Sequence, residues 1–380
     1  MRAASVLDYR ELARRRLPNI FFEYIDGGSY AEETLRRNVS DLESIALRQR
    51  VLCDMRELDM SVRTLGQTLS MPVGLAPVGM AGMYARRGET QAARAAAKAG
   101  VPLCLSTVSV CSVEEVAATG TPPWFQLYML KDRGFMREVM ARAKAAGCPV
   151  LVFTVDLPLP GSRYRDVRSG FSGGTPLQAM MTQMKDGLLH PAWSWDVALN
   201  GRPHTLGTIQ AAVTEGRRVN DFLSWIARNF DRSVTWRDID FVRECWDGPI
   251  VLKGVLDIED ARAAVAAGAD GLVVSNHGGR QLDGVKSSIA ALPRIADAVG
   301  DDLEIYMDGG VRSGLDVLKA LALGAKACFV GRPWAWALGA GGEKQVGRML
   351  DILRAELAVA MILTGCKDVR TAGRSLLDQD

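Results

Sequence analysis

Short apolar runs bounded by turn residues recur through most of the chain. They read as continuous hydrophobic segments, which is typical of parallel strands that are covered on both faces. From these runs we predict eight strands, namely Val73–Pro77, Pro102–Ser106, Trp124–Tyr128, Val150–Asp156, Ile250–Gly254, Gly271–Asn276, Glu304–Asp308 and Ala327–Gly331.

Segments rich in Ala, Arg, Glu and Lys separate most of these runs, and several end in a glycine that permits a left-handed cap. Eight strands alternating with helices indicate an α/β fold, and a closed (β/α)8 TIM barrel fits them better than an open doubly wound sheet. The charged N-terminal segment before Val73 is expected to be mostly helical and to cap or flank the barrel. The predicted barrel helices are Glu89–Ala99, Val113–Ala118, Arg133–Ala146, Ile258–Ala267, Ser287–Val299 and Gly314–Leu323.

One connection is too long for an ordinary loop, because roughly ninety residues separate Asp156 from Ile250. Prolines and scattered glycines fill its middle part. We therefore predict a single domain over residues 1–380, with the barrel at about 73–340. A mobile excursion after strand four, at about 170–221, is expected to lie over one barrel end.

The excursion carries apolar residues at helical spacing, followed by two tryptophans. Two interpretations of this pattern remain open. It could be an amphipathic segment that rests on a membrane, or it could be a lid or an oligomer contact, since methionine stripes are usually buried. The residues concerned are Leu177, Met180, Met181, Met184, Leu188, Trp193 and Trp195.

The composition is that of an ordinary globular protein, with 48% apolar and 24% charged residues among 380. The net charge is +2 and the chain has no block of basic residues, so its charge distribution does not indicate nucleic-acid binding. The seven cysteines form no C-x-x-C pair and their number is odd, so we expect neither a metal cluster nor a disulfide framework. Because no signal-peptide-like stretch and no apolar run of about 18 residues occurs, we expect the chain in the cytoplasm.

Polar residues crowd the ends of the predicted strands, where barrels carry their working groups. The seventh strand runs into Asp308–Arg312 and the eighth into Gly331 and Arg332. Glycines let the backbone approach an anion, the next helix presents its positive end, and the arginines neutralise charge. We therefore predict a phosphate site there. No dinucleotide-binding G-x-G-x-x-G and no P-loop motif occurs.

Three further residues at strand ends indicate catalysis. His277 could take a proton near neutral pH, with Asp156 orienting it, whereas His190 and His204 fit loop packing in the excursion. Lys253 could form a Schiff base or supply a fixed positive charge. Beside a phosphate site, the fixed charge favours flavin mononucleotide, which becomes negative when reduced.

The motif Ser275–Asp283 (SNHGGRQLD) resembles the signature of the FMN-dependent α-hydroxy-acid oxidase and dehydrogenase family. Other stretches that resemble this family occur in the same order, and the resemblance runs from about Asp8 to about Gly365, nearly the whole chain. They are Tyr24 within EYIDGG, Leu75–Gly79, Leu105–Thr107, Phe125–Tyr128, Phe153–Asp156 and Gly161–Arg168.

The resemblance implies a role for each matching residue. His277 would remove a proton from the 2-hydroxy acid, and Asp156 would hold His277 in place. Substrate would be gripped by Tyr24, Tyr128, Arg163 and Arg280. The flavin ring and ribityl chain would be contacted by Pro77, Val78, Gly79, Ser106, Gln126, Thr154, Lys253 and Ser275. Ribityl and phosphate would be held by Asp308, Gly309, Gly310, Val311, Arg312, Gly331 and Arg332.

Within the family, three stretches resemble the bacterial respiratory L-lactate dehydrogenases. They are Leu35–Asn38, Ala76–Gly79 with Met83–Gly88, and Leu199–His204. This implies FMN-dependent oxidation of L-lactate to pyruvate, with electrons passing to a quinone or another respiratory acceptor. It also favours peripheral association of the protein with the cytoplasmic face of the inner membrane. We further expect a homo-oligomer, such as a tetramer.

Gly79 departs from the pattern, because many oxidases of the family carry alanine there. Extra room at Gly79 could admit mandelate or a longer 2-hydroxy acid, or change the access of oxygen. Two rivals from other classes also remain open: a flavin-binding isomerase without net redox chemistry, and a lyase that uses Lys253 as a Schiff base. A protein that only binds its ligand would have no need of the base His277.

Overall fold

The computed structural model describes residues 3–172, 185–210 and 228–378. Its centre is a single layer of parallel strands, preceded by a two-stranded antiparallel hairpin. The hairpin strands are β1 (Val62–Thr64) and β2 (Gln67–Leu69), and the parallel strands are β3 (Val73–Leu75), β4 (Cys104–Ser106), β5 (Trp124–Leu127), β6 (Leu151–Thr154), β7 (Ile250–Val255), β8 (Gly271–Val274), β9 (Glu304–Asp308) and β10 (Ala327–Val330).

The parallel strands follow chain order around a ring, from β4 through β10 and back to β3. The ring closes where the amide of Leu75 donates to the carbonyl of Pro102 at 2.9 Å, and Leu75 pairs with Leu103 in a parallel bridge. The predicted TIM barrel is therefore confirmed, and each predicted strand matches an observed one to within three residues at each end.

Helices cover the outside of the barrel, and polar side chains at their first residues explain where several begin. Ser112, Asp132, Asp257, Ser287 and Ser313 each accept a backbone amide of the first helical turn. The helices are α1 (Val6–Arg16), α2 (Asn19–Asp26), α3 (Glu33–Ser44), α4 (Gly88–Ala99), α5 (Val113–Ala117), α6 (Arg133–Ala145), α7 (Tyr164–Arg168), α8 (Pro191–Trp193), α9 (Asp238–Cys245), α10 (Ile258–Ala266), α11 (Ser288–Val299), α12 (Gly314–Ala322), α13 (Arg332–Gly341) and α14 (Glu343–Thr364).

The predicted helical N-terminal segment is confirmed as α1, α2 and α3, but the sequence prediction omitted the hairpin and the last two helices. The hairpin is polar and short, so it carries little periodic signal. It lies at the amino ends of the barrel strands, where Thr64 bonds Glu304 and Tyr306 at the start of β9. Inside the barrel, Tyr306 packs beside Trp124 and Phe329.

The described part of the excursion packs beside the carboxyl ends of β3 and β4. Trp193 donates its indole N–H to the carbonyl of Met83 at 2.8 Å and stacks on Phe21 at 5.3 Å between ring centroids. For Trp193, this burial favours the interpretation as a lid contact over a membrane interface, whereas Trp195 is 69% exposed. Leu188 is also exposed, and the predicted stripe from Leu177 to Met184 lies outside the described residues.

Candidate active site

A pocket of about 1120 Å³, including its open mouth, lies at the carboxyl ends of the barrel strands. Residues from nearly every strand end reach it, together with residues of α2 and the loop before α7. Of the residues predicted for substrate, cofactor and catalysis, its wall holds Tyr24, Pro77, Val78, Gly79, Tyr128, Arg163, Lys253, His277, Arg280, Asp308, Gly309, Gly310, Val311, Arg312, Gly331 and Arg332.

The remaining predicted residues lie behind this wall. Ser106 donates to the amide oxygen of Gln126 at 3.2 Å, and the amide nitrogen of Gln126 donates to Thr154 at 3.0 Å. These three buried side chains form a polar chain across β4, β5 and β6. Thr154 also lies on the wall of a second, more apolar pocket. Ser275 and Asp156 are described below with the charged groups that they contact.

His277 and Asp156 form the central pair of the site. Nδ1 of His277 donates to Oδ1 of Asp156 at 2.9 Å, which leaves Nε2 unprotonated and available to accept a proton. Burial would raise the pKa of Asp156, but His277 and Lys253 hold it below its usual value. The carboxylate is therefore charged and fixes the tautomer of the imidazole.

Backbone geometry holds this pair in place. His277 has a φ of 58°, in the left-handed region that non-glycine residues rarely adopt, and its amide donates to the hydroxyl of Ser275 at 3.0 Å. Asp156 lies against the bare backbone of Gly254, where a Cβ would approach its carboxyl carbon to 2.4 Å. The glycine after Lys253 thus makes room for the carboxylate.

Lys253 is a buried cation on the pocket wall. Its ammonium lies 3.0 Å from Oδ2 of Asp308 and donates to Ser275 at 3.1 Å, and Ser275 in turn donates to Asp308 at 2.5 Å. Burial alone would lower the pKa of Lys253, but Asp308 and Asp156 raise it above its usual value. A permanently charged ammonium is a poor Schiff-base nucleophile, so this geometry argues against the lyase.

Three arginines on the pocket wall lack a carboxylate partner within the described part of the chain. Burial lowers the pKa of Arg280 and Arg332, and it lowers the pKa of Arg312 to about 10. The guanidinium of Arg332 donates to carbonyls such as those of Gly27 and Gly278. Buried charges are normally paired, so this pocket is built for anionic groups of a ligand.

The arrangement fits FMN. Gly331 precedes α13, and a Cβ built there would meet only the side chain of Ala76, at 3.8 Å, so the start of α13 is bare toward the pocket. A helix N-terminus with Arg312 and Arg332 beside it suits a phosphate. Lys253, on the same wall, suits a ring system that gains negative charge on reduction.

Two arginines that line the pocket lie against the ring of Tyr24, which also lines it. Arg280 lies 4.8 Å and Arg163 5.3 Å from the centroid of its ring. One nitrogen of Arg280 donates to the carbonyls of Tyr24 and Gly27, while its other two have no hydrogen-bond partner in the described part of the chain. Nε of Arg163 lies 3.1 Å from buried Asp166, whose other oxygen has no hydrogen-bond partner among the residues that the structure describes.

Sequence reasoning missed several residues that shape this site. Asn38 and Asn276 exchange side-chain amide hydrogen bonds at 2.7 and 2.8 Å, which ties α3 to the loop that carries His277. Asp283 caps α3, and Gln281 donates to the carbonyl of Asp156. In the sequence, Asn38 and the SNHGGRQLD motif stand out only by their resemblance to the family, because no local sequence pattern shows that they are in contact.

His190 and His204 lie outside this pocket, as predicted. The ring nitrogens of both contact backbone carbonyls, those of Asp186 and Val197. All seven cysteines are free.

Comparison with known proteins agrees with this geometry. The sequence matches the FMN-dependent dehydrogenase family over residues 13–379. It is 57% identical to an L-lactate dehydrogenase of Caulobacter vibrioides over 378 residues, which covers 99% of this chain and 98% of that protein. It is 58% identical to an L-lactate dehydrogenase of Haemophilus influenzae over 367 residues, or 96% of each chain.

Two solved structures extend the comparison. A mandelate oxidase with (S)-4-hydroxymandelic acid superposes with a TM-score of 0.83 at 40% identity, covering 99% of this chain and 98% of that one. An (S)-mandelate dehydrogenase described as a monotopic membrane protein superposes with a TM-score of 0.92 at 32% identity over the whole of both chains.

Proposed function

The chain belongs to the FMN-dependent dehydrogenase family, and we propose that it oxidises L-lactate to pyruvate with FMN as its cofactor. One observation carries this proposal: a single pocket is lined by His277, which Asp156 holds from behind, and by Arg280, Arg312 and Arg332, and none of these three arginines has a carboxylate partner in the described residues. A carboxylate substrate and a phosphate-bearing cofactor supply the missing negative charges.

Different residues of the pocket bind the substrate and accept its proton. Arg163 and Arg280 hold the substrate carboxylate, and Tyr24 and Tyr128 line the same space. Nε2 of His277 accepts a proton from the 2-hydroxy acid, and the resulting imidazolium is stabilised by Asp156. FMN, when bound, accepts the two electrons. Because the substrate is held at both ends, its reacting carbon has one orientation.

The test of the proposed function is reduction of the purified yellow protein without oxygen. L-Lactate is expected to bleach the flavin absorption, D-lactate to leave it unchanged, and L-mandelate or longer L-2-hydroxy acids to act more slowly. A protein that is purified without flavin, or that no 2-hydroxy acid reduces, would contradict the proposal. Faster reduction by L-mandelate would favour the alternative substrate.

The pH dependence of the reaction follows from the position of His277. Burial lowers its pKa below the usual 6.5, and Asp156 opposes this only in part. The imidazole is then a neutral base down to pH values below 6.5, so we expect the acid limb of kcat/KM for L-lactate to lie below that value. Initial rates between about pH 5 and pH 9 check this. An acid limb above 6.5 would show that the imidazole is not held neutral.

Asp166 is expected to position Arg163. Burial raises the pKa of Asp166, yet its carboxylate faces the guanidinium of Arg163. Replacing Asp166 with asparagine should raise KM for L-lactate by about tenfold with a smaller change in kcat, because a charged hydrogen bond is lost. Steady-state kinetics measure this effect, and the control is replacement by asparagine of Asp240, an exposed residue of α9 that does not line the pocket. An unchanged KM would show that Asp166 does not position Arg163 for substrate binding.

Gly79 bears on the choice between lactate and mandelate. A Cβ at Gly79 would lie 2.9 Å from Cγ2 of Val108 and 3.5 Å from the hydroxyl of Tyr24. The space that the notional side chain would take is thus occupied by Val108 rather than open, so the expectation of extra room there is not supported.

We therefore expect Gly79→Ala to displace Val108 or Tyr24 and to lower kcat/KM for L-lactate by about tenfold, since overpacking costs roughly 1–3 kcal/mol. The double variant Gly79→Ala/Val108→Ala is expected to recover most of the loss. Steady-state kinetics of both variants with L-lactate and L-mandelate test the expected loss and its recovery. A Gly79→Ala protein with unchanged kinetics would show that Val108 yields freely.

We propose a quinone or another respiratory acceptor for the electrons, reached by peripheral contact with the cytoplasmic face of the inner membrane. Leu188, Leu189, Trp195 and Leu199 are exposed apolar residues of the excursion. None of the helices in the described ranges is long and apolar enough to cross a bilayer. Deleting residues 174–192 should reduce partition into the membrane pellet, and unchanged partition would contradict membrane contact. A homo-oligomer stays a prediction.

A further inference from the structure

A second charged pocket, which we call the arginine pocket, lies beside the barrel end that carries the candidate active site. Arg86 and Arg87 belong to the connection that follows the carboxyl end of β3, which places the pocket at this end. The pocket is open to solvent and measures about 940 Å³. Its described lining is Arg16, Arg86, Arg87, Thr90, Gln91, Arg94, Asp196, Gly341 and Gly342.

Positive charge is in excess on one side of the arginine pocket. Arg16 lies 3.2 Å from one oxygen of Asp196, and Arg86 lies 3.9 Å from the other. Two guanidinium groups thus share one carboxylate, and Asp196 is the only acidic residue in the described lining. Arg86 is 56% exposed and makes no closer ion pair in the described part of the chain.

A second group repeats this arrangement, in which Arg94 lines the arginine pocket and its two partners line the neighbouring groove. Arg94 and Lys98 both lie 2.6 Å from Glu343, so two cations again share one carboxylate. Arg87 alone has a carboxylate to itself, that of Glu115. Like charges held this close repel each other, and an anion between them would relieve the repulsion.

Two helix N-termini add to the positive potential. Arg94 of α4 meets Glu343 at the start of α14, and Arg354 of α14 donates to the carbonyl of Ala99 at the end of α4, at 2.8 Å. The two helices therefore run parallel, and their N-termini lie side by side. Each N-terminus carries a partial positive charge.

Gly342 forms the turn before α14 beside the pocket. It has a φ of 70°, and a Cβ there would approach the side-chain oxygen of Gln91 to 2.3 Å. That oxygen accepts the backbone amide of Glu343 at 2.9 Å, so a side chain at position 342 would both strain the backbone and displace Gln91.

We propose that the arginine pocket binds a phosphate-bearing anion. Four guanidinium groups lining one pocket, together with two helix starts, match the charge and the several acceptor oxygens of a phosphate. The phosphate could belong to a phospholipid headgroup or to a free phosphate ion. Trp195 and Leu199, 69% and 57% exposed, flank Asp196 in the chain, so a lipid surface could reach the pocket.

The test uses the full-length holoenzyme with two probes: inorganic phosphate, by titration calorimetry, and phosphatidylglycerol vesicles, by co-sedimentation against phosphatidylcholine vesicles. The key variant is Arg86→Gln/Arg94→Gln. It leaves Asp196 paired with Arg16 and Glu343 paired with Lys98, so no carboxylate is stranded. We expect it to weaken binding of the responding probe by about 30-fold, from two lost surface charges.

Three companion variants sharpen the result. Arg86→Lys/Arg94→Lys keeps both charges and should retain most of the binding. Asp196→Asn removes the shared carboxylate and should tighten it. Arg262→Gln, at an exposed arginine of α10 paired with Glu259, should match the unaltered protein. All should keep L-lactate oxidation with a soluble artificial acceptor, which separates this site from the proposed function.

The outcomes distinguish the sources of the phosphate. Binding of inorganic phosphate that depends on Arg86 and Arg94, without such dependence for vesicles, supports a free phosphate site. Vesicle binding that depends on them, without phosphate binding, supports a lipid headgroup. The proposal is overturned if neither probe binds, if the glutamine variant binds both as tightly as the unaltered protein, or if Arg262→Gln weakens binding equally.

Discussion

Replacing His277 with glutamine is expected to leave FMN bound and to slow its reduction by L-lactate by about 10³–10⁴-fold. The amide of glutamine can still donate to Asp156, but it has no basic nitrogen for the substrate proton. Anaerobic stopped-flow absorbance measures the effect, because the flavin bands report binding and reduction separately.

His190 provides the matched control for this experiment. Its ring contacts the backbone carbonyl of Asp186 and lies outside the pocket, so His190→Gln should be reduced at the unaltered rate. A His277→Gln protein reduced as fast as the His190→Gln protein would show that another group takes the proton. Loss of flavin from the His277 variant would instead assign the residue to cofactor binding.

The second large effect is expected for Lys253→Met. The substitution leaves Asp308 buried without its cation, and breaking a buried ion pair in this way costs roughly 3–5 kcal/mol. We expect the free energy of unfolding to fall by about that amount and flavin reduction to become much slower, because the fixed positive charge on the pocket wall is lost. Urea unfolding followed by tryptophan fluorescence measures the first effect.

The double variant Lys253→Met/Asp308→Asn separates stability from chemistry. Removing both charges should restore most of the free energy of unfolding, since no carboxylate is left unpaired. Flavin reduction should stay slow, because the ammonium is still absent. If the double variant regains normal reduction, Lys253 acts only by neutralising Asp308, and its proposed role beside the flavin is wrong.

The positions of the chemical groups along the chain could largely be predicted. Asp156, Lys253 and His277 follow apolar runs, and parallel strands in a barrel bring their carboxyl ends to one rim. Their detailed partners could not be predicted. The local sequence is compatible with Lys253 facing solvent or any of several carboxylates. Only the packing of β7 against β8, and of β8 against β9, selects Asp308.

Other parts of the prediction failed because periodicity does not report long-range contacts. Trp193 and Trp195 are two residues apart in the same polar excursion, yet one packs on Phe21 and the other is exposed. Gly79 suggested an open space, but Val108 fills it. The arginine pocket has no local signature, since it joins residues of α1, α4 and the turn before α14.

The order of apolar runs, turns and helix caps determined the barrel and the end at which its chemistry lies, because burial and capping are local properties of the chain. Tertiary structure alone decided which charges meet. The pairing of His277 with Asp156 and the sharing of Asp196 between two arginines depend on residues distant in sequence. The same holds for Arg280, Arg312 and Arg332, which form no ion pair with a carboxylate within the described ranges. Electrostatic partners are fixed by packing, which no short window of sequence contains.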